Sequence, residues 1–214
     1  MKITKLGHCC LVIEEQGVIL LTDPGAYSTA QTEVKNVDAI IITHEHPDHF
    51  HIQSLKTVLQ NNPRAEVLTN TAVGALLAKE NLTYTLVEHG QSHRIREVLL
   101  EGFGREHAPI YPSLTSVQNT GYFINNKLFY PGDALYNPEK QIDVLALPVA
   151  GPWRTIAQAI EYALALKPRA CFPVHDGMLI SERMGPIHFL PQRELEKFGI
   201  KFQALAAGAT ANFE

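Results

Sequence analysis

The stretch Ile40-Ile41-Ile42-Thr43-His44-Glu45-His46-Pro47-Asp48-His49 decides how this chain is read. Its first four residues are β-branched and almost wholly apolar, the pattern of a strand covered on both faces. The strand delivers four candidate ligands, His44, His46, Asp48 and His49, at its end, where open sheets present their binding groups. Residues two apart on extended backbone point the same way, so His44 and His46 share one direction. Asp48 and His49 fall on the following turn and face a second position. Imidazole and carboxylate donors without a thiolate suit zinc, manganese or iron in a catalytic rather than a structural site. The bland alternative, a polar loop that happens to be histidine-rich, fits a lone histidine far better than four ligands at one strand end.

Working outward, short β-runs precede the stretch: Lys2–Leu6, Cys10–Glu14, a Gln16-Gly17 turn, Val18–Thr22 and then Ala39–Thr43. After it, Ile52, Leu55, Val58 and Leu59 recur at helical spacing, which predicts a helix over 49–60 that Pro63 ends. A strand at Glu66–Thr69, a short helix at Thr71–Lys79 capped by Asn70 or Thr71, and a strand at Thr83–Val87 follow. From Arg94 to Ile124 the pattern is strands broken by Gly102, Gly104, Pro109 and Pro112. Asn125-Asn126 turns the chain into Lys127–Tyr130. Val144–Leu147 and Ala170–Val174 read as buried strands flanking a helix over 155–166 that stops before Pro168. Two β-rich halves, each with helices, predict two sheets packed face to face with helices outside, in one domain over 1–214.

The composition is that of a globular protein: 45% hydrophobic and 19% charged residues in 214. No apolar run is long enough to span a bilayer, and the three cysteines, Cys9, Cys10 and Cys171, make no disulfide framework. Both features lead us to expect a cytoplasmic protein with buried, reduced thiols. Eighteen Lys+Arg against 22 Asp+Glu give a net charge of −4 with no basic block, so nucleic acid is not an expected partner. Nor is a membrane, since no basic amphipathic helix is evident. A homo-oligomer stays open.

The histidine cluster matches the His-x-His-x-Asp-His motif of the metallo-β-lactamase superfamily, and further pieces resemble that family in its own order. Leu21-Thr22-Asp23-Pro24 resembles the early strand whose aspartate braces the histidine motif. His107, in Arg105-Glu106-His107, stands at the next histidine ligand. Tyr130-Pro131-Gly132-Asp133 resembles the strand, glycine and aspartate that supply a shared carboxylate, and Pro173-Val174-His175 the final strand and its terminal histidine. The resemblance implies a four-layer αββα sandwich. It also implies two divalent ions, zinc foremost with manganese or iron as alternatives: one held by His44, His46 and His107, the other by Asp48, His49 and His175, with Asp133 bridging. Leu6-Gly7-His8-Cys9-Cys10-Leu11-Val12-Ile13 and Leu147-Pro148-Val149-Ala150-Gly151 further resemble short metal-dependent hydrolases that include ascorbate-6-phosphate lactonase and, more distantly, N-acyl-phosphatidylethanolamine phospholipase D.

Departures matter as well. Metal-dependent β-lactamases of the commonest type carry a cysteine where this chain has Asp133. Diiron flavoproteins of the fold have a glutamate at His46, and RNA-processing members add an insertion or basic arm that is missing here. The implied activity is hydrolysis of an ester, lactone or phosphoester bond in a small anionic substrate by a hydroxide bridging the two ions, with Asp48 and Asp133 at the chemistry. Phosphodiesterase action and a non-catalytic metal-binding protein are the alternatives.

Four residues outside the ligand set are candidates for bracing ligands or touching substrate. Asp23 fits a brace and equally a turn-forming Asp-Pro-Gly. His8 reads as a core histidine or as a site residue. Arg154, in Gly151-Pro152-Trp153-Arg154, can reach an anion or simply face solvent. Tyr111 is a candidate proton donor. His51, His89, His93 and His188 have no motif around them and are expected at the surface or in packing.

Overall fold

The computed structural model describes residues 1–214, the side chain of Ser181 excepted. Its strands are β1 (Lys2–Gly7), β2 (Cys10–Glu15), β3 (Val18–Thr22), β4 (Ala39–Ile41), β5 (Glu66–Thr69), β6 (Thr85–Leu86), β7 (Ser92–Ile95), β8 (Val98–Phe103), β9 (Gly121–Ile124), β10 (Leu128–Tyr130), β11 (Val144–Pro148), β12 (Ala170–Val174), β13 (Lys201–Phe202) and β14 (Thr210–Asn212). The α-helices are α1 (Ile52–Asn61), α2 (Thr71–Lys79), α3 (Ile156–Leu166) and α4 (Gly185–Glu196). The strands form two seven-stranded sheets, ordered β14-β1-β2-β3-β4-β5-β6 and β13-β12-β11-β10-β9-β8-β7.

Each sheet begins antiparallel and turns parallel, at β3/β4 in the first and at β10/β11 in the second. Parallel neighbours need a crossover, and the helices supply it: α1 joins β4 to β5, α2 joins β5 to β6, α3 joins β11 to β12 and α4 joins β12 to β13. The residues that alternate inward along β1 and β2, Ile3, Leu11 and Ile13 among them, meet Tyr122, Ile124, Tyr130, Ala146 and Phe172 of the other sheet in a shared core. The outer face of the first sheet packs Cys10, Leu21, Ile40 and Ile42 against Leu55 and Val58 of α1 and Val73 and Leu77 of α2. The second packs Phe129, Leu145, Leu147 and Cys171 against Ala159, Tyr162 and Ala163 of α3 and Leu195 of α4. The result is the four-layer αββα sandwich. A fully buried side chain such as Leu55 or Val58 contributes roughly 1.5–3 kcal/mol to holding a helix on its sheet.

Several expected boundaries move. Helix α1 starts at Ile52 rather than residue 49, because His49 and Phe50 both donate their backbone N–H to the carbonyl of His46 in the tight turn that holds the ligands. The strand expected over 83–87 is only Thr85–Leu86. Between β8 and β9 lies a long loop that carries His107, where the sequence suggested further strand. Asn125 and Asn126 both adopt positive φ, as a two-residue hairpin turn requires. The elements after residue 180 are legible only in the structure. Pro191 lies inside α4, and β13 and β14 are two and three residues long.

Candidate metal centre

The chain's candidate ligands come together at one edge of the sandwich because they follow the ends of strands that run the same way. His44–His49 follow β4, Asp133 follows β10 and His175 follows β12. His107 reaches the same edge from the loop after β8, and His8 from the tip between β1 and β2. Within each of two four-residue sets the donor atoms lie within 4.8 Å of one another, His44, His46, His107 and Asp133 in one and His8, Asp48, His49 and His175 in the other, and Cys9 with His49 and Asp133 makes a smaller third.

Hydrogen bonds fix which ring nitrogen of each histidine is free. The Thr43 hydroxyl has one proton, given to Asp23 Oδ2 at 2.7 Å, so at 3.0 Å it accepts from Nδ1–H of His44. His49 Nδ1–H donates to Asp23 Oδ2 at 2.7 Å, and His107 Nδ1–H donates to the carbonyl of Ala108. In all three rings it is therefore Nε2 that faces the cluster. His44 Nε2 lies 3.1 Å from His46 Nδ1.

Asp133 is the hub. Its carboxylate oxygens lie 3.1 Å from His49 Nε2, 3.3 Å from His107 Nε2, 2.8 Å from His175 Nε2 and 3.9 Å from His44 Nε2, so it reaches both sets. Asp48 Oδ2 is 3.7 Å from His49 Nε2 and 3.6 Å from His175 Nε2. Burial alone would raise both carboxyl groups. The neighbouring His49 and His175 hold Asp133 well below the ordinary carboxylate range, and the His8 hydrogen bond and His49 do the same for Asp48. Burial, followed by the neighbouring His49, lowers His44 well below an ordinary imidazole. His46 is lowered too, by burial and then by His107. Both rings are therefore neutral donors at pH 7.

Whether a metal fits can be judged from atoms that have no other use. His49 Nε2, Asp133 Oδ1 and both ring nitrogens of His175 are buried with no hydrogen-bond partner, although His49 Nε2 and Asp133 Oδ1 lie only 3.1 Å apart. Buried polar atoms are ordinarily satisfied, and imidazole nitrogens and a carboxylate that converge without hydrogen bonds are the donor set that a divalent cation completes. The seven expected ligands therefore fit the group.

Asp23, completely buried, accepts from Thr43 N–H at 2.8 Å, from the Thr43 hydroxyl, from His49 and from the Tyr130 hydroxyl. It is both brace and turn residue. Gly25, two residues on, lies so close to the ligand loop that an added Cβ would fall 1.8 Å from the carbonyl oxygen of Asp48. Gly132 has φ +63, and a Cβ there would meet Asn119 Oδ1 at 2.4 Å. Asn119 is a residue that sequence reasoning missed: its side chain accepts from Asp133 N–H and donates to the carbonyl of Pro131, holding the hub's backbone. Nothing in the sequence marks it, because its partners meet it only through the fold.

His8 is buried, and its Nε2 lies 3.1 Å from Asp48 Oδ2. His188, expected at the surface or in packing, bonds Asp176 at 2.9 Å, next to His175. Tyr111 is 65% exposed on the loop after His107, and its side chain makes none of the cluster's hydrogen bonds. Arg154 is 8% exposed and lies beside the site rather than in solvent. A cleft of roughly 690 Å³ opens beside His8, lined also by Lys5, Tyr27, Ser28, Asp176 and Gly177. No helix among the described residues is long and apolar enough to cross a membrane.

Residues 2–175, ending at the last candidate ligand, match the model of the beta-lactamase superfamily domain. Protein Rv0786c of Mycobacterium tuberculosis is 34% identical over 190 residues, which span 86% of this chain and 88% of that protein. A UPF0173 protein of Pyrococcus abyssi is 31% identical over 83% of this chain and 84% of its own. Among solved structures, a metallo hydrolase of the hyperthermophilic archaeon Ignicoccus hospitalis superposes with a TM-score of 0.77 at 20% identity, covering 100% of this chain and 98% of that one, which shows the shared fold. The chain belongs to the beta-lactamase superfamily and, within it, to the UPF0173 family of metal-dependent hydrolases.

Proposed function

We propose that the protein hydrolyses an ester, lactone or phosphoester bond of a small anionic molecule at a dinuclear centre. One ion would be held by His44, His46 and His107 and the other by Asp48, His49 and His175, with Asp133 within reach of both sets. The observation that carries this reading is the convergence of five imidazoles and two carboxylates on one buried point, with the facing atoms of His49, Asp133 and His175 left unpartnered. Two divalent ions bound there would acidify a water and polarise the scissile group, zinc being the first choice for such donors and manganese or iron also compatible.

The chain's own residues set the stage for that chemistry. Asp23 and Thr43 orient His49 and His44 and fix their tautomers. Asp48, held ionised by His8, can accept a hydrogen bond and so orient a water. Four positive charges from two ions exceed the two ligand carboxylates, so the pocket favours anions. Phosphorylated lactones of the kind handled by the lactonase that the sequence resembles are a fitting class, and simple phosphodiesters are the second.

Metal analysis and turnover test the proposal together. Elemental analysis of metal-loaded protein is expected to give two ions per chain, and a panel of esters, lactones and phosphodiesters is expected to contain a substrate. Asp133→Ala is expected to lose metal and turnover while keeping the fold. A maximum of one ion would remove the dinuclear reading, and two ions without turnover of any panel member would favour a metal-binding protein without catalysis.

A further inference from the structure

Arg154 is a buried cation with no hydrogen-bond or ion-pair partner among the described residues. It is 8% exposed, its Nε, Nη1 and Nη2 make no hydrogen bond, and no carboxylate pairs with it among the described residues. Burial draws its pKa down to about 10, against the opposing pull of Asp133, and it stays charged at neutral pH. Folded proteins seldom tolerate a desolvated guanidinium with all its donors idle, since such a group is ordinarily paired with an anion.

Its position says where that anion lies. The loop 149–155 leaves the end of β11, between β10 and β12, whose ends carry Asp133 and His175. The guanidinium carbon sits 5.0 Å from the ring centre of Trp153, and that ring packs at 5.6 Å against His107 and 5.7 Å against His175. Trp153 Nε1 is likewise buried with no acceptor. Gly151, at φ +144, gives the loop its close approach: a Cβ there would lie 2.8 Å from Trp153 Nε1 and 3.3 Å from His175 Cε1. Arg154 also directly precedes Thr155, the N-cap of the eleven-residue α3, whose positive end adds to the field. Two sets of unused donors thus stand one indole away from the metal ligands.

We propose that Arg154, with the Trp153 indole N–H beside it, is the subsite for a permanent anion of the substrate, a carboxylate or phosphate group distinct from the bond being hydrolysed. This inference rests on the hydrolytic reading above and deepens it. The guanidinium fork matches the oxygens of either oxyanion. Because subsite and ligands are separated only by Trp153, anion and scissile bond belong to one small molecule. Neutral esters and lactones lacking the anion are then poor substrates.

The test compares wild type with Arg154→Met and Arg154→Lys in the full-length, metal-loaded protein. Inorganic phosphate is titrated by calorimetry, and melting is followed with and without it. Arg154→Met is expected to weaken phosphate binding at least tenfold and to melt no lower than wild type without phosphate, because a partnerless charge has been removed. Phosphate is expected to raise the melting point of wild type and to do so much less for the variant, with Arg154→Lys between the two. In turnover, the ratio of kcat/KM for an ester bearing a carboxylate to that for its neutral analogue is expected to fall at least tenfold in Arg154→Met, through KM. Unchanged phosphate affinity would overturn the subsite, as would an unchanged ratio. A wild type that binds phosphate through Arg154 but turns over no ester, lactone or phosphodiester would retain the subsite and reject hydrolysis.

Discussion

His8 Nε2 lies 3.1 Å from Asp48 Oδ2 while His8 Nδ1 accepts the backbone N–H of Gly177 at 3.1 Å. The second bond dictates the first: Nδ1 must be unprotonated, so Nε2 carries the proton and donates it to the carboxylate. Burial first, then the neighbouring histidines, lowers the His8 pKa and keeps this neutral form. His8 thereby positions Asp48 and ties the β1–β2 tip to the loop after His175. Its backbone sits at φ +41, which asparagine tolerates well. We expect His8→Asn to fold and to lower turnover or the affinity of the second ion about 10–100-fold, the usual cost of losing a partner of a metal-binding group. Equilibrium dialysis would show release of one ion before the other. Wild-type affinity for both ions together with wild-type turnover would show that the contact is only packing.

Asp23 takes four donors from three residues, and its removal is expected to reach both stability and metal. In Asp23→Asn one side-chain oxygen becomes an NH2 group, which must face N–H or O–H donors in a fully buried place. A loss of about 2–4 kcal/mol follows from leaving buried charged-group hydrogen bonds unmade, along with weaker binding of the ion that His49 holds. Urea unfolding of the metal-free variant separates the two effects, since metal itself stabilises the folded state. A variant as stable as wild type would show that the four bonds contribute nothing net.

How much of this was legible from the sequence depended on whether a residue's partners were near it in the chain. The ligand loop announces itself, because His44, His46, Asp48 and His49 occur together after an apolar strand. Asp23 could be found by its place at the end of β3. Thr43, Asn119 and Tyr130 could not, because each does its work on a group that folding alone brings to it. Arg154 could be read as near the site, but its lack of partners is a property of packing. The same holds for secondary structure. The apolar spacing of α1 and α3 survives translation into structure, whereas α4 begins Gly185-Pro186 and contains Pro191, which conceals it. The two-residue β6 and β13 have too few residues to show any period.

All three thiols are buried, and burial pushes Cys9 up to about 11, Cys171 up to about 12 and Cys10 higher still, from 9.0. The folded state therefore holds these protons more tightly than the unfolded chain. For a folded pKa raised above the unfolded one, the stabilisation is complete below the unfolded value and is lost as pH rises toward the folded value. We expect a melting temperature that changes little between pH 7 and 8 on account of these groups and declines above pH 9. Replacing Cys171 with alanine should make that decline shallower. A thiol reagent at pH 8 should label the native protein far more slowly than the urea-unfolded one, where all three react. Rapid labelling of a cysteine in the native state would contradict the burial.

Lys5 Nζ donates to both oxygens of Asp176, at 2.7 and 2.8 Å, and to the carbonyl of Pro173 at 2.9 Å, in a place where both side chains are almost wholly hidden. His188 Nε2 bonds the same carboxylate, so α4 is fastened to the residue after His175. The Asp176 carboxyl would be raised by burial, but the His188 bond and Lys5 hold it below its ordinary value and ionised. The two partners are unequal: Lys5 supplies a full charge and two bonds, His188 one bond at the cleft's edge. Lys5→Met strands a buried carboxylate and should cost about 3–5 kcal/mol, whereas His188→Ala should cost about 1 kcal/mol and leave turnover near wild type. Pairing Lys5→Met with Asp176→Leu removes the stranded charge and should recover most of the loss. Because His175 holds φ +61 and donates its backbone N–H to the carbonyl of His8, slack in this clamp should also loosen the ion at His175. Chemical unfolding of the two single variants and the double variant, with metal titrations on each, decides the matter. Equal losses for Lys5→Met and His188→Ala would mean that the charge of Lys5 is not what holds the loop.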